Sequence, residues 1–294
     1  MTDLSVPPSV AQISVHAAAK INLFLHVTGR REDGYHKLDS LVGFTAIGDH
    51  ITVAASEEIT LRISGPFGEG LSVDDDNLVF AAARLLAEEV GYHGGAAITL
   101  QKNLPVSSGI GGGSADAAAT LQALNRLWDV GASPQMLAKI GLRLGADVPV
   151  CLRSKTARMR GIGEMIDPMD PLPDLGILLV NPGLAVSTPQ VFKARQGPFS
   201  QPVDVSVPKS GKALCEFLAL QQNDLQAPSI ELAPVIAQVL ETLSGLEGCR
   251  LSRLSGSGAT CFGLFDDEAA AVAACDAISA CHADWWIQPT HFLD

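Results

Sequence analysis

A glycine-rich segment near residue 110 is the feature of this sequence that most clearly indicates chemistry. Four of five consecutive residues are glycine, at Gly109, Gly111, Gly112 and Gly113, and an alanine-rich stretch begins at Ser114. Glycine lets backbone N–H groups turn toward one point, and a following helix adds unsatisfied N–H donors and the positive end of its dipole. The segment therefore predicts a cradle for an anion such as a di- or triphosphate.

Two other kinds of phosphate-binding loop do not fit this segment. A Walker A loop needs a lysine directly after its glycines, and no lysine follows Gly113. A dinucleotide-binding fingerprint needs glycine or alanine where Ser114 stands, and an acidic residue about twenty positions later. A flexible linker is the remaining alternative, but Pro105 before the glycines and a helical pattern after them favour a built turn between strand and helix.

Asp147 and Lys20 are the side chains best suited to acid–base and electrostatic catalysis. Asp147 precedes an apolar run with a proline, so we expect it to be partly buried near the glycine-rich segment, although a loop carboxylate or a helix cap also fits. A carboxylate there could accept the proton of a substrate hydroxyl group. Lys20 lies in an otherwise apolar stretch, where a lysine commonly extends its ammonium group to the surface.

Four sequence motifs resemble those of the GHMP kinases, a family that binds ATP in a glycine-rich loop. The first comprises residues 19–25 (AKINLFL) and 31–36 (REDGYH), and the third, residues 145–149 (GADVP), resembles the family's catalytic-aspartate motif. Residues 254–259 (LSGSGA) resemble its C-terminal glycine loop. The second motif resembles the ATP-binding loop and consists of Pro105, Val106, Ser107, Ser108, Gly109, Ile110, Gly111, Gly112, Gly113, Ser114 and Ala115.

The resemblance implies that the chain transfers the γ-phosphoryl group of ATP to the 2-hydroxyl group of CDP-methylerythritol. Another small alcohol, such as homoserine, mevalonate or a sugar, is the alternative acceptor within the family. A nucleotide-binding module without catalysis is a third interpretation, but it would be expected to lack Asp147 or Lys20. The resemblance implies Asp147 as the catalytic base, with Lys20 beside it to counter the charge on the transferring phosphoryl group.

The resemblance also assigns residues to the binding of the two substrates. The adenine base is expected between Asn77 and Lys102, although the sequence around Asn77 favours a helix cap. Cytosine is expected to stack between Tyr35 and Phe192, since aromatic faces suit a flat base. Magnesium is expected to accompany ATP, held mainly by the nucleotide, with the Ser114 hydroxyl group as a candidate ligand. The remaining predicted substrate contacts are Asn22, His36, Thr188, Ser257 and Gly258.

Composition and charge restrict the classes of function. The chain has 294 residues, 47% hydrophobic and 18% charged, which is typical of a globular protein. Its net charge of −12 argues against a nucleic-acid partner, because phosphate backbones are bound by Lys and Arg. No apolar run has the length of a membrane span and residues 1–4 lack the basic start of a signal peptide, so we expect a cytoplasmic protein that does not bind membranes. The six cysteines lack metal-site or disulfide spacing and are expected to be free. We also expect a monomer or a weak homodimer.

The elements that must position these residues are strands and helices in mixed order, which indicates an α+β fold. We expect the two-domain GHMP kinase architecture, with a nucleotide-binding domain over residues 1–156, a substrate domain over residues 157–294 and the active site in the cleft between them. Helices are predicted at residues 78–87, 115–127, 134–144, 212–221, 229–244 and 267–281, and strands at residues 13–18, 22–28, 44–47, 51–54, 59–64, 97–101, 177–180, 251–254 and 260–265.

Two segments are less defined by their sequence. Residues 196–211 are rich in proline, glycine and serine, and we expect a long loop there. Residues 222–225 (QNDL) follow a predicted helix and either cap it or face the cleft. The sequence leaves both alternatives open.

Overall fold

A long antiparallel hairpin forms the centre of the first β-sheet in the computed structural model, which describes residues 12–293. The hairpin pairs β1 (Gln12–Arg30) with β2 (His36–Ser56), and Gly34 adopts a left-handed conformation in the turn between them. The sequence predicted four short strands in this region. The middle of both strands is buried on both faces, so the polar–apolar alternation that marks a half-buried strand is lost there.

Four further strands complete this six-stranded sheet, in the order β3-β4-β2-β5-β6, with β1 also pairing with β2. The β3–β4 pair is parallel and the other pairs are antiparallel. The sequence analysis did not predict β5 and β6, which lie after residue 156 and yet pair within this sheet. The proposed boundary between residues 156 and 157 stays a prediction. The added strands are β3 (Ile59–Ser64), β4 (Gly95–Gln101), β5 (Ala157–Gly161) and β6 (Met165–Pro168).

Helices α1 (Leu78–Val90), α2 (Gly112–Leu127), α3 (Pro134–Leu144) and α4 (Val148–Cys151) share a hydrophobic core with the first sheet. The Ser133 side chain caps α3 and Pro134 is its first residue, as the sequence predicted. Helix α2 begins three residues earlier than predicted. Its first turn therefore includes part of the glycine-rich segment itself.

The second sheet is antiparallel and has the strand order β10-β7-β9-β8. Its strands are β7 (Gly176–Asn181), β8 (Leu251–Leu254), β9 (Cys261–Phe265) and β10 (Trp286–His291). The helices of this half are α5 (Thr188–Ala194), α6 (Gly211–Ala219), α7 (Gln226–Leu232), α8 (Val235–Ser244) and α9 (Glu268–Ser279). The helix predicted at residues 229–244 is divided into α7 and α8 at Pro234, because proline disfavours a helical conformation in the residue before it.

The two halves of the chain share a hydrophobic core, which fixes their relative position. Ile21 and Leu41 of the first sheet are fully buried in one cluster with Ile177 and Phe262 of the second. The structure thus confirms the mixed α+β architecture, and it packs Ala19 and Ile21, the neighbours of Lys20 on β1, against the second sheet.

Residues 196–210 form no helix or strand, as predicted, but they are anchored to the first sheet. The Ser200 N–H donates to the Val27 carbonyl oxygen at 3.0 Å, and the Val203 N–H donates to Asp39 at 3.0 Å. Arg158 holds Asp39 in place with two hydrogen bonds of 2.7 and 2.8 Å. The loop is therefore part of the packed structure.

The described residues test two further expectations, one about cysteines and one about membrane-spanning helices. All six cysteines are free. Among residues 12–293, no helix combines the length and apolar character needed to cross a bilayer. Residues 1–4, on which the expectation about a signal peptide rests, lie outside the described residues.

Candidate active site

One large cavity, of about 1480 Å³, brings together most of the residues predicted for the site. It is bordered by β1, the turn after it, the glycine-rich segment, the start of α4, helix α5 and the loop between β8 and β9. Three predicted residues do not border it. Ile110 and Ala115 are buried in the hydrophobic core, and Gly258 lies against Leu254 and Ile236.

The glycine-rich segment turns sharply into α2 at the cavity wall. Ser107, Gly109 and Gly111 all have positive φ angles, of 50°, 77° and 67°. Gly111 occupies the position before the first residue of α2, and no side chain caps the helix there. The N–H groups at the start of α2 thus remain available to an anion in the cavity.

The loop between β8 and β9 supports the glycine-rich segment from the other side. The Ser255 hydroxyl group donates to the Gly109 carbonyl oxygen at 3.0 Å and accepts a hydrogen bond from the Asn22 N–H at 3.1 Å. The Thr260 N–H donates to the Ser108 carbonyl oxygen at 3.0 Å. Ser257 and Thr188 contact each other through their hydroxyl groups at 2.7 Å. Hydrogen bonds therefore connect three of the four predicted motifs.

Replacing Gly109 by Ala is expected to raise the KM for ATP about tenfold or more, a cost of about 1.4 kcal/mol or more in binding. A Cβ atom at Gly109 would lie 2.3 Å from the Ser255 carbonyl oxygen, so one of the two loops must move. Steady-state kinetics at varied ATP would measure the change. Gly131→Ala is the matched control, because Gly131 also has a positive φ angle, of 64°, but has open space around it. An equal rise in both variants would contradict this account of Gly109.

Lys20 and Asp147 form an ion pair at the cavity wall. The Lys20 Nζ lies 2.8 Å from the Asp147 Oδ2, and the two side chains are 4% and 37% exposed. The backbone N–H of Lys20 also donates to the Ile110 carbonyl oxygen at 2.9 Å. A Cβ atom at Gly111 would lie 3.3 Å from the Cε of the Lys20 side chain. The ammonium group is therefore buried next to the glycine-rich segment, and the carboxylate beside it faces the cavity.

Asp147 precedes the first residue of α4 and makes no capping hydrogen bond there. Asp147 therefore occupies the N-cap position of α4, but its partly exposed carboxylate lies near the glycine-rich segment and pairs with Lys20 rather than with the helix N–H groups. Cys151 lies behind the ion pair, fully buried, and burial raises the pKa of its thiol, with a further contribution from the Asp147 charge. We assign this thiol no part in the chemistry.

Lys102 borders the cavity, but its ammonium group is engaged by two buried carboxylates. It contacts Asp49 and lies 2.6 Å from the Asp116 Oδ2. Burial raises the pKa of Asp116 to about 7. For Lys102 burial acts in the opposite sense, but Asp116 and Asp49 outweigh it and raise the pKa. Neither carboxylate was predicted from the sequence, although Asp116 is the one acidic residue in the first two turns of α2.

Asn77 caps α1, as the sequence favoured, and also borders the cavity. Its Oδ1 accepts a hydrogen bond from the Val79 N–H at 2.9 Å, and its Nδ2 donates to the Ser72 carbonyl oxygen at 2.8 Å. Both ends of the amide are therefore used within the protein.

His36, rather than Tyr35, lies against Phe192 on the cavity wall. The two rings are stacked with centroids 5.0 Å apart and an angle of 19° between their planes, whereas Tyr35 is 63% exposed at the rim. Burial lowers the pKa of His36, and the nearby Arg30 and Arg195 lower it further.

Three cationic residues of the cavity wall were not predicted. Arg30, Lys193 and Arg195 border the cavity. Arg30 precedes the REDGYH string directly, so its position could have been predicted from the motif.

The Asn22 side chain, predicted to contact substrate, donates to the Ser40 hydroxyl group at 2.8 Å.

Residues 222–225 brace the loop between β8 and β9, so neither alternative that the sequence left open describes them: α6 ends at Ala219 with Leu220 as its cap, and most of the segment does not face the cleft. Asn223 donates to the carbonyl oxygens of Leu254 and Gly256, each at 2.8 Å. Asp224 accepts a hydrogen bond from the Val27 N–H at 2.7 Å. Of the segment only Leu225 borders the cavity.

Comparison with known families matches both halves of the chain. Residues 77–155 match the GHMP kinases N terminal domain, and residues 208–284 match the GHMP kinases C terminal domain. A 4-diphosphocytidyl-2-C-methyl-D-erythritol kinase of Paramagnetospirillum magneticum is 48% identical over 285 residues, which cover 97% of this chain and 100% of that protein. The kinase of the same name from Ruegeria pomeroyi is 53% identical over 279 residues, covering 93% of this chain and 97% of that protein.

Solved structures give the same picture of the fold. A crystal structure of a 4-(cytidine 5'-diphospho)-2C-methyl-D-erythritol kinase has a TM-score of 0.78 and 34% identity, and the match covers 96% of this chain and all of that one. A homoserine kinase from Cytophaga hutchinsonii has a TM-score of 0.72 at 17% identity, covering 99% of this chain and 97% of that one. At that identity the likeness concerns the fold alone.

Proposed function

This chain belongs to the GHMP kinase family, among its 4-diphosphocytidyl-2-C-methyl-D-erythritol kinases, and from that membership we propose how its site works. The chain transfers the γ-phosphoryl group of ATP to the 2-hydroxyl group of 4-diphosphocytidyl-2-C-methyl-D-erythritol, a step of the non-mevalonate route to isoprenoid precursors. ATP binds with its phosphates at the glycine-rich segment, and the cytidine diphosphate substrate binds toward His36 and Phe192.

The ion pair of Lys20 and Asp147 is the observation that carries this proposal. It places a carboxylate that faces the cavity, and a buried ammonium group 2.8 Å from it, beside the N–H groups at the start of α2. A hydroxyl group that lies between the carboxylate and a phosphate at those N–H groups is positioned for in-line attack.

Asp147 and Lys20 have different roles in the chemical step. Asp147 accepts the proton of the 2-hydroxyl group while the oxygen attacks the γ-phosphorus of ATP. The bond between that phosphorus and the oxygen bridging to the β-phosphate breaks, and ADP leaves. The Lys20 ammonium group counters the negative charge that develops on the attacking oxygen and the phosphoryl group.

Magnesium fits this site as an ion carried by the nucleotide. Among residues 12–293, no group of three or more His, Cys, Asp or Glu side chains could hold a metal ion. Mg²⁺ prefers oxygen ligands and in kinases is bound largely by phosphates and water. The Ser114 hydroxyl group, on the cavity wall at the start of α2, is the residue that would hold it. When bound, the ion neutralises charge on the β- and γ-phosphates.

Phe192→Ala is expected to raise the KM for the cytidine substrate about tenfold while the KM for ATP changes less than about twofold, since stacking of a base on an aromatic ring contributes about 1–3 kcal/mol. The expectation follows from the position of Phe192 on the cavity wall, where its ring stacks on His36. Initial rates with each substrate varied in turn would measure the two constants. Equal changes in both would contradict a cytidine site at Phe192.

The alternative acceptors are tested in the same assay. ADP release with ATP and 4-diphosphocytidyl-2-C-methyl-D-erythritol is expected, at a kcat/KM at least about a hundredfold above that with homoserine, mevalonate or a hexose. A higher kcat/KM with any of these compounds would replace the proposed acceptor.

We also propose that the protein acts in the cytoplasm as a monomer or a weak homodimer.

A further inference from the structure

Three buried ionisable side chains connect the beginning and the end of the glycine-rich segment. Lys102 follows β4, just before the segment, Asp116 lies on α2, just after it, and Asp49 lies on β2 beneath both. The Lys102 Nζ contacts Asp49 and lies 2.6 Å from the Asp116 Oδ2. The side chains of Lys102, Asp49 and Asp116 are 4%, 0% and 4% exposed, and we call these three residues the clamp.

Asp49 also fixes the backbone where the chain leaves β4. Its Oδ1 accepts hydrogen bonds from the Asn103 N–H at 2.5 Å and the Leu104 N–H at 2.9 Å. The Asn103 side chain donates to the Gly48 carbonyl oxygen at 3.2 Å. The start of the segment is thus held on β2, and Lys102 extends that attachment to α2.

The clamp lies directly beneath the first residue of α2. A Cβ atom at Gly112 would lie 3.1 Å from the Lys102 Nζ and 3.7 Å from the Asp49 Oδ2. Burying charged groups is costly, and well-packed apolar side chains in their place are often equally or more stable. Buried charges can instead specify one conformation, and here they join the two ends of a segment rich in glycine, which has little conformational preference of its own.

We propose that Lys102, Asp49 and Asp116 are positioning residues, which hold the glycine-rich segment in the shape that binds ATP. The inference rests on the proposed function, because it takes this segment as the ATP site. It also gives Lys102 a role different from the adenine contact that the family resemblance implied, since its ammonium group is engaged by the two carboxylates.

Asp116→Ala tests the inference, because it removes the link to α2 and leaves Lys102 paired with Asp49. We expect the Kd for ADP, measured by isothermal titration calorimetry, to rise at least tenfold, and amide hydrogen exchange in residues 103–115 to accelerate. The KM for the acceptor and kcat at saturating ATP should stay within threefold. Asp116→Asn keeps an acceptor oxygen for Lys102 and should restore both readouts to within threefold of the original protein.

Asp39→Ala is the matched control for a purely structural effect. Asp39 is also a buried carboxylate on β2, and its hydrogen bonds join Arg158 and Val203 rather than the glycine-rich segment. This variant should lower Tm but leave the Kd for ADP within twofold. If Asp116→Ala is too unstable to purify, Asp116→Leu, whose side chain has the same branching and number of heavy atoms as Asp, carries the same expectation.

The inference is overturned if the Asp116 variant binds ADP as the original protein does, or if Asp39→Ala weakens ADP binding equally. It is also overturned if the exchange of residues 103–115 is unchanged. A failure of the original protein to bind ADP or ATP at all would instead contradict the proposed function.

Discussion

Replacing Asp147 by Asn is expected to lower kcat about a thousandfold, within the range of about 10²–10⁴ that general acid–base catalysis contributes. In the original protein Lys20 donates a hydrogen bond of 2.8 Å to Asp147, and the amide keeps an oxygen that accepts it. The amide cannot accept the proton of the substrate hydroxyl group. Because the change removes a group needed only in the transition state, the KM values for ATP and the acceptor should change less than about threefold.

Steady-state and single-turnover kinetics would separate the loss in the chemical step from a change in binding. Asp276→Asn is the matched control, since Asp276 is exposed on α9 and does not border the cavity. A kcat within about tenfold of the original would remove Asp147 from the role of base, because that is less than the lower limit of about 10² for such a group.

The second large effect is expected at Lys20. Lys20→Ala should lower kcat about 10²–10³-fold, the range measured when one group that stabilises transition-state charge is removed. Lys20→Arg should not restore activity, because the larger planar guanidinium cannot replace an ammonium group held in a 4% exposed position beside Gly111. Lys139→Ala, on the exposed part of α3, is the control for loss of a lysine and should leave kcat unchanged.

The double variant tests whether the two residues act as a unit. If Lys20 works through the same transition state as Asp147, the combined loss in kcat should be smaller than the product of the two single losses. Measured losses that multiply fully would indicate that the two side chains act independently, in conflict with their 2.8 Å contact.

Local motifs account for the parts of the site that the sequence predicted. The glycine-rich segment and Ser133-Pro134 each encode their own turn or cap, and the structure has a turn in the first and a cap at the second, with α2 starting three residues earlier than predicted. The family resemblance brought Asp147 and Lys20 together although 127 residues separate them, and the structure confirms that they meet.

The side chains and strands that were not predicted depend on contacts between distant residues. Asp49 and Asp116 acquire their roles only when β2 lies beneath α2, and neither belongs to a motif that marks it. The missed strand β10 contains Pro289, which is tolerated because β10 pairs only with β7 at the edge of its sheet. In β5 the alternation was present, with Ala157 and Met159 buried, but five residues gave too short a pattern.

The position of the transferred phosphoryl group is the most direct test of the central claim, that the tertiary 2-hydroxyl group of the acceptor attacks ATP in this site. Phosphorus NMR of the reaction with ATP and 4-diphosphocytidyl-2-C-methyl-D-erythritol should show ADP and one new phosphomonoester, with the diphosphate signals of the acceptor retained. The 2-carbon bears no hydrogen, so the new signal should lack three-bond coupling to a proton. A new signal split by such coupling, or ADP formed together with inorganic phosphate alone, would contradict the account.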